Sequence, residues 1–114
     1  MDQKVRTAIM NQVASEAYAE KLSLTLTELS DGYAVVEMVP DPRHGNMFEM
    51  VHGAAIISLM DEAFQASCNS HGRVAVALNM NVTFHKVWDE DGTLIASCQA
   101  LAYRKNEMLP FLER

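Results

Sequence analysis

Residues 53–70 read GAAIISLMDEAFQASCNS, and this stretch decides the fold. Its polar residues Ser58, Asp61, Glu62, Gln65 and Asn69 fall on one stripe, while the other sides are apolar or small. A helix apolar around most of its circumference must be covered by other elements, most simply by a curved sheet. The following segment supplies a strand for that sheet. Over residues 74–84 every even position is apolar (Val74, Val76, Leu78, Met80, Val82, Phe84), and the odd positions are Ala75, Ala77, Asn79, Asn81 and Thr83. This period of two predicts a strand with one buried face.

Upstream, residues 2–20 have the spacing of an amphipathic helix, with Val5, Ala8, Ile9, Val13 and Ala17 at three- and four-residue steps and Asp2 placed to cap it. Leu22, Leu24 and Leu26 then alternate with polar residues as in a strand, Ser30-Asp31-Gly32 marks a turn, and residues 33–39 return as the second strand of a hairpin. Pro40 and Pro42 end that strand, and residues 43–51 form a loop carrying His44, Gly45 and Asn46. Downstream, a turn is expected at 89–92, a fourth strand over 93–103, a turn at 104–107 and the beginning of a fifth strand over 108–113. The pattern predicts one α+β domain over residues 1–114, with an antiparallel sheet wrapped around a long central helix.

Composition narrows the function. Of 114 residues, 49% are hydrophobic and 21% charged, a balance that excludes disorder. The formal net charge of −6, with no basic stripe, argues against nucleic acid and anionic membranes as partners. Cys68 and Cys98 lie in apolar segments without CxxC spacing and read as reduced core residues of a cytoplasmic protein. A signal peptide and a membrane-spanning run are not expected. His44, His52, His71 and His85 lack metal-ligand spacing and HExxH is absent, so neither a metal nor a cofactor is expected.

The residues with chemical potential cluster at the start of the long helix. His52 and Gly53 stand where the first backbone N–H groups are unpaired and aligned with the helix dipole, a ready site for an oxyanion. Gly53 would let a carbonyl approach the backbone closely, or would simply permit the turn. His52 could act as a base, a ligand or a cap; Asn46 could hold a water or carbonyl, or shape the loop. Asp61 follows Gly53 by eight residues, about 12 Å along the axis and about 80° around it. One small reacting centre cannot readily touch both within one chain, so joint action requires two subunits; alone, Asp61 reads as a solvated stripe residue. GxSxG is absent, and Cys68 is too far along the helix from His52 for thiol catalysis.

The run Asn46…His52-Gly53…Asp61-Glu62-Ala63, followed by Cys68-Asn69-Ser70, resembles the hotdog-fold acyl-CoA thioesterases, in particular the phenylacetate-pathway subfamily. The resemblance extends from about Tyr18 to Phe111 and takes in LTELSDGYAVVEM (26–38) before the motif and NMNVTF (79–84) after it. It implies hydrolysis of an acyl-CoA thioester at a site shared across a homodimer. Asp61 would be nucleophile or general base, the Gly53 N–H would polarise the thioester carbonyl, Asn46 would position thioester or water, and His52 would orient the loop or the sulfur side of the site. The family has glycines where this chain has Glu49 and Ala54. Relative to the family the chain looks truncated at its C-terminus, lacking strands that the resemblance places between strands four and three. An oligomer, by strand exchange or a higher assembly, is the corresponding expectation. The same departures suit a non-catalytic acyl-CoA-binding or degenerate hotdog module as the alternative.

Overall fold

The computed structural model describes residues 1–86 and 96–112. Its elements are α1 (Gln3–Ala14), α2 (Ala17–Leu22), β1 (Leu24–Ser30), β2 (Tyr33–Met38), a 3-10 turn (Pro42–His44), α3 (Gly53–Cys68), β3 (Arg73–Phe84) and β4 (Ala96–Met108). Strands β1 and β2 form one antiparallel hairpin and β3 and β4 a second, and both contact the long helix α3. The expected turn at 89–92 and the first residues of the expected fourth strand lie outside the described residues.

Asp2 caps α1 as its sequence position suggests, its carboxylate accepting from the N–H groups of Lys4 and Val5 at 2.8 and 3.1 Å. The single helix expected over 2–20 is instead broken. Ser15 closes α1 by turning its hydroxyl back onto the carbonyls of Asn11 and Gln12, and Glu16 is extended before α2 begins. Leu22 belongs to α2 rather than to the first strand, because Ser23 takes a left-handed φ of 58° and stops the helix there. Val5, Ile9 and Val13 of α1 pack with Leu24, Leu26 and Leu29 of β1, Ala66 of α3 and Leu109 to make the core.

A bulge corrects the expectation of a continuous even-numbered buried face on β3. The register with β4 slips between Ala77 and Asn79; the covered residues are Val74 and Ala75 before the bulge and, partly, Met80 and Val82 after it. Val76 and Leu78 consequently reach the surface, with Leu101 and Tyr103 of β4. Two further expectations fail at the C-terminal end. Residues 104–107 are not a turn, because β4 runs unbroken to Met108, and no fifth strand follows among the described residues. Pro110 stops the ladder, while Leu109 turns into the core and its N–H bonds to the Gly72 carbonyl at 3.0 Å. Since β3 and β4 pair directly, no strand lies between them.

The helix α3 is less enclosed than its composition suggests. Ala55, Glu62 and Ala66 are buried, whereas Ala54, Ile57, Asp61 and Gln65 are exposed. Glu62 therefore leaves the polar stripe and enters the interior. Two other polar residues at the helix end serve the fold. The Asn69 amide bonds both the N–H and the carbonyl of Ala75 at 2.8 and 3.0 Å, holding the start of β3 as a neighbouring strand would. Buried Ser70 accepts from the Gly32 N–H at 2.7 Å and donates to the Ser67 carbonyl, pinning the β1–β2 turn to the helix.

Candidate active site

The loop before α3 is built in two stages. Asp41 caps the 3-10 turn by accepting from the Arg43 N–H at 2.7 Å, and its own N–H donates to His44 Nδ1 at 3.0 Å. With Nδ1 accepting, His44 carries its proton on Nε2 and donates to the Leu22 carbonyl at 2.8 Å. This buried imidazole ties the loop to the end of α2. The His44 carbonyl then accepts from the His52 N–H at 2.7 Å, and Gly45 bridges to Val51. The intervening tip is organised around Asn46, whose side-chain oxygen accepts from the N–H groups of Phe48 and Met50 at 2.8 and 3.1 Å.

His52 is the N-cap of α3: its Nδ1 accepts from the Ala54 N–H at 2.9 Å, and its carbonyl accepts from the Ala55 N–H at 2.9 Å. Of the first three N–H groups of the helix, that of Gly53 alone makes no hydrogen bond to a described residue. Nor does the backbone need a glycine there. Residue 53 has no positive φ, and a Cβ built on it would meet only the edge of the Phe84 ring, 3.4 Å from Cζ. The turn itself therefore places no demand for a glycine backbone angle at position 53.

Gly53 opens into a cleft of about 400 Å³ walled by Asn46, Met50, Val51, Ile56 and Phe84. The structure thus brings Asn46 and Gly53 to one cleft. It does not bring His52 or Asp61 into that wall: His52 faces a smaller pocket beside Tyr18 and Ser58, and Asp61 is exposed farther along α3. Among the described residues no three His, Cys, Asp or Glu side chains stand together as a metal-binding group, and no helix is long and apolar enough to cross a membrane.

A family model described as the thioesterase superfamily matches residues 48–108, more than half of the sequence and nearly all of the segment from the loop tip to the end of β4. The chain belongs to this superfamily. It is 39% identical over 80 residues (70% of this chain, 52% of that protein) to a putative esterase of Archaeoglobus fulgidus. It is 33% identical over 85 residues (75% and 61%) to the acyl-coenzyme A thioesterase PaaI of Escherichia coli. The chain thus spans between half and two thirds of the length of these curated relatives. The structure of the E. coli PaaI protein from the phenylacetic acid degradation operon superposes with a TM-score of 0.83 at 20% identity, over 93% of this chain and 96% of that one. A mutant of the phenylacetic acid degradation protein PaaI from Thermus thermophilus gives 0.72 at 22% identity, over 79% and 100%. These superpositions establish the hotdog fold.

As a thioesterase-superfamily loop, the tip explains one departure from the family pattern. Glu49, which stands where a glycine is expected, has a φ of 62°. The backbone thus keeps the left-handed turn that glycine would adopt freely, and the Glu49 N–H still reaches the Asn46 carbonyl at 3.0 Å. Glu49→Gly is expected to stabilise the protein by about 0.5–1 kcal/mol, measured by urea unfolding. Ala54, the other departure, is exposed and keeps its N–H on the His52 cap.

Sequence reasoning missed His44 and Glu62. Asp-Pro-Arg-His at 41–44 was a legible capping signal, since proline after Asp opens a short helix. Glu62 lies seven residues after Ala55 and four before Ala66, on the covered face. Its carboxyl and that of Glu16 meet across the α1–α2 break, and Gln65 Nε2 donates to both at 2.6 and 2.9 Å. Burial, then the hydrogen bond and charge of Glu16 and the charge of Asp61, push Glu62 up to about 7. The folded state therefore holds this proton above the ordinary value of 4.5, so stability falls as pH rises from there to about 7, and the loss is complete above that. Glu62→Gln keeps an acceptor for Gln65 and gives Glu16 a permanent donor. It is expected to raise the melting temperature by several degrees at about pH 8 and hardly at all at about pH 4, where wild type is already protonated.

Proposed function

We propose that this chain hydrolyses an acyl-CoA thioester to the free acid and CoA, in a site completed by a second copy. The observation carrying this is the open N–H of Gly53 in the cleft wall beside Asn46. The thioester carbonyl oxygen accepts from that N–H, so charge developing on it meets a fixed donor and the positive end of α3. Asn46 holds the loop tip, and His52, by capping Ala54 rather than Gly53, leaves that donor free. Asp61 of the second copy takes a proton from water as it attacks the carbonyl carbon. The tetrahedral intermediate then collapses with cleavage of the carbon–sulfur bond, and the CoA thiolate recovers the proton.

The unpaired outer edges of both hairpins among the described residues, and the exposure of Asp61, support assembly with another copy. The two free cysteines support a cytoplasmic location. Thiol release from a panel of acyl-CoA thioesters tests the proposal, with Asp61→Asn as control. Turnover lost in the variant supports it. Folded, oligomeric wild type without turnover on any thioester would overturn it in favour of an acyl-CoA-binding module.

A further inference from the structure

Resting on the thioesterase reading above, we infer that Phe84, at the end of β3, is the residue that sets which acyl groups the cleft admits. A carbonyl oxygen bonded to the Gly53 N–H lies about 2.9 Å from the nitrogen, which fixes the first acyl carbons within a few ångströms of Gly53. The Phe84 ring already stands there. Its Cζ and Cε1 would be 3.4 and 3.7 Å from a Cβ on Gly53, and the ring is one wall of the cleft. Met50 and Ile56 line the same cleft, so the acyl chain runs between an aromatic edge and aliphatic side chains.

The fold does not depend on this ring. Phe84 is 48% exposed and lies outside the core, at the last position of β3. What distinguishes Phe84 from the other exposed apolar side chains is its place in the wall of the cleft that holds Gly53, with its ring edge beside that residue. The ring restricts the cleft beside the reacting carbon, and slender or short acyl groups pass it more easily than long or branched ones.

The test is the ratio of kcat/KM for octanoyl-CoA to that for butanoyl-CoA in wild type, Phe84→Ala and Phe84→Leu, with melting temperatures recorded for all three. The expected result is a rise of about tenfold or more in the ratio for Phe84→Ala and a smaller rise for Phe84→Leu, at nearly unchanged melting temperature. Active wild type with a ratio that does not move, or an equal loss on both substrates, would overturn the assignment of Phe84 while leaving the thioesterase reading standing. Wild type inactive on every thioester would overturn both.

Discussion

Gly53→Pro is expected to leave the fold intact and to lower kcat/KM for thioester hydrolysis by about 100- to 1000-fold. The position is unusually suited to the substitution. Residue 53 is the first of α3, where proline is favoured because its missing N–H would have no helical partner. The preceding residue, His52, has φ −65° and ψ 137°, the extended conformation that a following proline requires. The N–H removed makes no hydrogen bond to a described residue, and a Cβ there meets only the Phe84 ring edge at 3.4 Å. Stability and activity should therefore separate: a melting temperature within a few degrees of wild type, with the oxyanion donor gone. Gly53→Ala, which keeps the N–H, should lose far less. Equal activity of the proline variant would mean that the carbonyl is held elsewhere.

The division between what was legible in the sequence and what was not follows range of interaction. The long helix, the first hairpin with its Ser30-Asp31-Gly32 turn, the Asp2 cap and the strand after the helix all depend on local periodicity and turn chemistry, and all appear in the structure. The misreadings come from events that periodicity cannot register. A bulge at 77–79 interrupts the alternation of β3, a serine hydroxyl turns back at the end of the first helix, and β4 continues through polar residues 104–107, bulging opposite the start of β3 instead of turning. Glu62 looked like surface because only the α1–α2 break brings Glu16 to it.

The candidate site divides the same way. Asn46 and Gly53 are close in sequence and meet in one cleft, whereas helix geometry separates Asp61 from them. The His52 cap is one option from its place at the helix start, but which N–H it satisfies, and hence which it leaves open, is set by the folded loop that aims its Nδ1 at Ala54. The left-handed Glu49 shows that a departure in residue type need not be a departure in backbone shape.

The separation of Asp61 from Gly53 leads to the second large effect. Asp61→Asn alone is expected to lower hydrolysis by about 100-fold or more, the usual worth of a positioned general base. Gly53→Pro alone fails for the independent reason given above. If each site takes its N–H donor from one copy and its carboxylate from another, the two inactive proteins complement. Dissociated and reassociated in equal amounts as dimers, they form mixed pairs in about half of the population, and each mixed pair has one site with both native residues. Activity should return to about a quarter of the wild-type value, rising as subunits exchange and absent from either variant incubated alone. A mixture that stays inactive while mass spectrometry shows mixed dimers would place the donor and the carboxylate in the same chain. That outcome would require Asp61 to reach the cleft by a rearrangement of α3, whose Ala55, Glu62 and Ala66 face is locked into the interior. Subunit sharing needs no such movement, because the exposed carboxylate is already presented outward.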